Sequence, residues 1–114
     1  MPNRQYEAGD RFEKRVMNDL RRRGYICWQT RGSKTAVDII AFNTDELDAH
    51  LLLQAKSGEK ITDHAAWNGL VDLSIKLGTL SLVADRDGRK IRYRLITGYH
   101  TYRSRDWPAE AYDP

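Results

Sequence analysis

Several things are scarce in this chain, and each shortage excludes a class. It holds one cysteine in 114 residues, so no internal disulfide framework is available. Cys27 lies between Ile26 and Trp28, and apolar neighbours suit a small buried hydrophobe better than a reactive thiol. No apolar run approaches the roughly 20 residues that a membrane helix needs, so no membrane partner is expected. Met1-Pro2-Asn3-Arg4-Gln5 leads into no apolar signal region, which argues against secretion and for a cytoplasmic protein. His50 and His64 are far apart and show no metal-ligand spacing, which argues against a zinc site. Repeats, low-complexity tracts and linkers are missing too.

What is present points to one globular domain over residues 1–114. Hydrophobic residues make up 40% and charged residues 31%, too much core-forming material for a disordered chain. Residues from about Trp107 to Pro114 read as a C-terminal tail, pinned by Trp107 or Tyr112. The net charge of +3 is mild, but its distribution is uneven. The first 34 residues carry nine basic side chains against four acidic ones. A basic half of this kind favours a nucleic-acid partner, with Arg11, Lys14, Arg15, Arg31 and Lys34 as candidate phosphate contacts.

Hydrophobic spacing sets out the elements. Ala8, Phe12, Val16 and Leu20 recur every fourth position, and Met17 widens the stripe, so a helix is expected from Glu7 to Arg23. Glu13 lies about 100° round from Phe12, where its carboxylate reaches the edge of the core. Residues 25–30, 36–42 and 50–56 read as three strands. Thr62 or Asp63 caps a second helix that ends at Gly78, with Trp67 assigned to its core. Strands follow at residues 79–84 and 91–96, joined through the tight-turn signal Asp87-Gly88. The order α-β-β-β-α-β-β predicts an α/β (α+β) fold, a mixed β-sheet with flanking helices.

The chemistry gathers between Val37 and Lys56. Asp38 interrupts the apolar run Val37-Asp38-Ile39-Ile40-Ala41, and Gln54 and Lys56 interrupt the end of Leu51-Leu52-Leu53-Gln54-Ala55-Lys56. Residues two apart on a strand share a face, so Gln54 and Lys56 point the same way. An acid, an amide and an ammonium at one sheet end are costly unless a ligand or metal uses them. A divalent-metal site answers the cost. Asp38 offers a carboxylate oxygen, Gln54 its side-chain carbonyl, Ala55 a backbone carbonyl, and Glu13 a second carboxylate. Mg²⁺ asks for octahedral oxygen ligands and keeps several waters, so few protein ligands suffice; Mn²⁺ is the possible substitute. Lys56 would face the attacking water or the phosphate.

Taken together, Gly9-x-x-x-Glu13, Gly32-Ser33, Val37-Asp38-Ile39-Ile40-Ala41 and Gln54-Ala55-Lys56-Ser57 resemble the PD-(D/E)XK nuclease superfamily. The small size and helix-first layout are most similar to the archaeal-type Holliday junction resolvases. The resemblance spans residues 9–84. It implies a restriction-endonuclease-like fold and a Mg²⁺-dependent endonuclease that cuts four-way DNA junctions as a homodimer. By position, Glu13 matches the first-helix glutamate, Asp38 the metal aspartate, Gln54 and Lys56 the (D/E)XK pair, and Ser33 a loop serine near the cut phosphate. Two positions depart from the pattern. Gln54 is an amide where the motif has an acid, a trait shared with Mrr-like restriction nucleases, and Val37 stands where the motif has proline. The alternatives are an Mrr-like restriction or repair nuclease acting on duplex DNA, and a non-cleaving nucleic-acid-binding protein.

Overall fold

The computed structural model describes residues 4–30, 37–43, 45, 50–56 and 64–114, with side chains in the first helix from residue 9 onward. Eight elements run in chain order: α1 (Arg4–Arg22), β1 (Tyr25–Gln29), β2 (Ile39–Asn43), β3 (His50–Lys56), α2 (His64–Leu77), β4 (Leu80–Asp87), β5 (Lys90–Ile96) and β6 (Ala109–Ala111). The strands form one sheet in sequence order. Neighbours are antiparallel except β3 and β4, which are parallel. A parallel pair needs a crossover, and α2 supplies it. This is the expected mixed α+β architecture.

The two helices cover opposite faces of the sheet. Phe12, Val16, Met17 and Leu20 of α1 pack on Cys27, Ile39, Ala41, Leu53 and Leu82. Trp67, Leu70 and Val71 of α2 pack on Leu52, Val83 and Ile96. Strand β3 is therefore covered on both faces, which is why it reads as a continuous apolar run rather than an alternation. Its odd-numbered residues face α1, and its even-numbered ones face α2. Trp67 is fully buried, and its indole N–H donates to the Gly98 carbonyl at 3.0 Å, which satisfies its polar edge inside the core.

Helix α2 stops where Gly78 takes φ +66°. The Thr79 N–H then reaches back to the Ser74 carbonyl at 3.0 Å, the hydrogen bond of a Schellman cap.

Three details differ from expectation. Strand β2 starts at Ile39 rather than residue 36, because Asp38 leaves the ladder and uses its side chain there. Strands β4 and β5 continue to Asp87 and from Lys90, so Gly88-Arg89 is the centre of the turn, with Gly88 at φ +62°. A positive φ at the first central position alone gives a type II′ hairpin. The terminal residues include a sixth strand, β6, which pairs Ala109 with Ile96 and Ala111 with Arg94.

Candidate functional site

The polar end of β2 and β3 is built from a broken ladder. The Asp38 backbone N–H still donates to the Leu53 carbonyl at 2.8 Å, and its carbonyl accepts from Thr30 at 2.9 Å. The chain then departs from β3, and the Asp38 carboxylate takes over, accepting the Ala55 N–H at 2.9 Å. One side-chain oxygen thus replaces a strand partner. The N–H and carbonyl of a strand residue point to the same side, so the Ala55 carbonyl faces the same strand end as the Asp38 carboxylate.

Glu13 arrives from the α1 layer, half-buried. Gln29, the last residue of β1, shares the α1 face with Cys27, and its amide donates to both Glu13 and Asp10. The distance to Asp10 is 2.8 Å. Glu13 and Asp10 are three residues apart on the helix and so lie on one face. A single neutral amide thus clamps two carboxylates.

The electrostatics are unfavourable for charge. Burial pushes the Glu13 carboxyl up; the Gln29 hydrogen bond opposes this, and nearby Asp38 and Asp10 raise it further. Burial also pushes Asp38 up, against the Ala55 N–H and the Lys56 ammonium, which lower it. Glu13 and Asp38 therefore feel each other and share Lys56 as a counter-charge. Lys56 makes no ion pair within 4.0 Å among the described residues.

Gln54 is buried at 5% exposure on the α2 face of β3, one residue from Ala55. Its side-chain carbonyl oxygen has no hydrogen-bond partner among the described residues. Such an orphan costs about 1–3 kcal/mol, which a hydrogen bond or cation at that oxygen would recover. The Asp38 and Glu13 carboxylates, the Ala55 carbonyl and, on the α2 face, the Gln54 amide oxygen are all oxygen donors, although among the described residues no three acids, histidines or cysteines cluster as a metal site. That set fits a hard divalent cation such as Mg²⁺ or Mn²⁺.

The residues expected at the site separate into three groups. Glu13, Asp38, Ala55 and Lys56 come together, with Gln54 adjacent. Of the candidate phosphate contacts, Arg11 and Arg15 lie on the far side of α1, while Lys14 pairs with Asp10 at 3.0 Å. Ser33, Arg31 and Lys34 lie outside the described residues, as do the capping candidates Thr62 and Asp63. Gln29 and Asp10 belong to the site and were not foreseen. Their only sequence signals are a polar residue ending an aromatic strand and an acid three residues before Glu13.

A second polar cluster is structural. Asp85 is 8% exposed and accepts from Arg92 at 2.8 Å and Arg94 at 3.0 Å. In register, Asp85 pairs with Lys56 across β3 and β4. The two guanidiniums occupy its carboxylate, so Lys56 is not drawn into that pair. Arg21, Arg22 and Arg23 are likewise largely committed: Arg21 to the Cys27 carbonyl, Arg22 and Arg23 to Asp19.

Among the described residues no helix is long and apolar enough to cross a membrane. No protein-family model matches the chain, and no curated protein does. Among solved structures, the chain is similar to Hjc of Archaeoglobus fulgidus, a Holliday junction resolvase from an archaeal hyperthermophile, with a TM-score of 0.65 and 22% sequence identity over 75% of this chain and 70% of that one. At that identity the likeness shows the fold: the chain has a restriction-endonuclease-like fold.

Proposed function

We propose that this chain is a metal-dependent DNA endonuclease that cuts branched DNA, four-way junctions above all, as a homodimer. The observation that carries the reading is the pairing of Glu13 and Asp38, two half-buried carboxylates that share Lys56 as counter-charge, with Lys56 in no ion pair among the described residues. The resolvase-like fold and the motif resemblance support the same substrate class.

In this reading Asp38, Gln54, the Ala55 carbonyl and Glu13 hold Mg²⁺, with Mn²⁺ as a substitute. Bound there, the ion lowers the pKa of water and offsets charge on phosphate oxygens. Gln29 fixes the Glu13 carboxylate, and the Ala55 N–H fixes that of Asp38. The Lys56 ammonium donates to the attacking water or to a phosphate oxygen and holds it for in-line displacement. Ser33 and Arg31 contact the DNA backbone near the cut. Ile26, Trp28 and Phe42 leave an exposed apolar strip on β1 and β2, which is assigned to subunit pairing.

The test is cleavage of a four-way junction beside a linear duplex of the same sequences, with Mg²⁺ and with chelator. The reading expects paired nicks in the junction and none in chelator. Equal cutting of both substrates would move the chain to the restriction-like alternative. The neutral Gln54, where the motif carries an acid, favours a second reading, in which the protein binds nucleic acid without cutting it. No cutting in Mg²⁺ or Mn²⁺, with no rescue by Gln54→Glu, would establish that one instead.

A further inference from the structure

Arg11, Lys14, Arg15, Asn18 and Arg22 line an open groove of about 620 Å³. Their spacing places them along one stripe of α1, about 16 Å from end to end at about 1.5 Å per residue. Lys14 pairs with Asp10 at 3.0 Å and Arg22 with Asp19 at 3.3 Å, so Arg11 and Arg15 carry the uncompensated charge of the groove. Arg11 makes no ion pair among the described residues. Arg15 donates to the Arg89 backbone carbonyl, a contact that leaves its charge uncompensated. Arg11 and Arg15 are four apart, and like charges at that spacing oppose helix formation. A polyanion in the groove relieves the repulsion. The stripe matches about five nucleotides of backbone rise at about 3.4 Å each.

The position of the groove is informative. Arg11 and Arg15 each lie two residues from Glu13, about 160° round the helix axis. Glu13 faces the sheet and Asp38; the groove faces away, across a helix roughly 10 Å thick. The strand held at Asp38 and Lys56 does not also run along this groove. We infer that the α1 groove holds the phosphate backbone of a second DNA segment, separate from the strand being cut. Branched DNA supplies such a segment as another arm. The inference rests on the endonuclease reading for its substrate, and extends it from one strand to two segments. The Arg15–Arg89 contact ties the groove to the β4–β5 turn and brings Arg89 to the same flank.

The experiment measures binding without metal in the Asp38→Asn background, by anisotropy of a labelled four-way junction and of a linear duplex made from one arm. Arg11→Glu with Arg15→Glu is expected to weaken junction binding by roughly tenfold or more and to lower its salt slope by about 2. Duplex binding should change less than twofold. Arg11→Gln with Arg15→Gln, which avoids placing new acids in the helix, should show the same ordering with smaller losses. Equal losses on both substrates, or none on either, would overturn the inference. Because binding is read apart from cleavage, a wild-type protein that cuts nothing would sink the endonuclease reading while leaving this comparison intact.

Discussion

Asp38 and Asp85 are both largely withdrawn from water near the same end of the sheet, two strands apart, and their surroundings are opposite. Asp85 accepts from two guanidiniums. Asp38, half-buried, has one backbone N–H at 2.9 Å and shares a single lysine with another half-buried acid. A buried carboxylate with charged partners belongs to the scaffold. One left short of positive charge is poised for an external cation. The register sharpens the contrast, because Lys56 lies across from Asp85 yet faces a carboxylate that Arg92 and Arg94 already satisfy. The arginines of β5 thereby keep the site lysine available.

The largest expected effect separates the two residues by function. Asp38→Asn should lower junction cutting by at least about 100-fold, because losing even an outer partner of a metal site costs roughly 10–100-fold. Its stability should not fall, since an asparagine oxygen still accepts the Ala55 N–H and the change removes a half-buried charge. Asp85→Asn should do the reverse. It leaves Arg94 inside with no ionic partner among the described residues and should cost about 2–3 kcal/mol in urea unfolding, below the usual cost for a broken buried pair because Arg92 is half exposed. Equal activity losses for both variants at matched folded fraction would erase the distinction.

The next effect is metal linkage. At a Mg²⁺ concentration tenfold above its Kd, the wild type should gain about 1.4 kcal/mol of stability. Asp38→Asn should gain almost nothing, and Asp85→Asn should gain as much as the wild type. Thermal shift against Mg²⁺ checks all three without any DNA. A gain retained in Asp38→Asn would move the cation elsewhere.

The sequence made one of these aspartates legible and hid the other, for a physical reason. Asp38 stands out because it breaks an apolar run, and Gln54-x-Lys56 because it ends one. Period and composition carry that information. Phe12, Val16 and Leu20 likewise announce α1 by spacing alone. Asp85 instead sits in a polar stretch that reads as loop, and its partners lie seven and nine residues on. Only the Gly88-Arg89 turn brings them across, and reading Asp87-Gly88 as the turn centre shifts the register by two, setting Asp85 against Lys90 instead of Arg92. Gln29 was hidden because its role depends on α1 passing over the end of β1. Strand β6 is Ala-Glu-Ala, with no propensity of its own. It forms because β5 offers an unpaired edge, extended on either side by the bonds from Thr97 to Pro108 and from Tyr112 to Tyr93.

The smallest effect has the clearest sign. Burial raises the folded pKa of Asp38, so in the metal-free protein its charge opposes folding at neutral pH. As pH falls through that raised value the folded state takes up a proton first, and the penalty disappears. Asp38→Asn should therefore be more stable than the wild type at pH 7, with the gain shrinking toward zero as pH falls to the ordinary carboxylate range. Asp19 supplies the opposite case. Burial pushes its carboxyl up, but the Tyr93 hydroxyl at 2.7 Å and Arg23 outweigh burial and hold it below its usual value. Its stabilisation is present above the unfolded pKa and lost as pH falls through the lowered folded one. Asp19→Asn should thus be less stable than the wild type at pH 7, with the deficit closing at lower pH. Thermal melts from pH 7 to pH 3 in chelator give both difference curves. If the Asp38 curve has the same sign as the Asp19 curve, Asp38 is a structural acid like Asp85, and the comparison that assigns it to a metal fails.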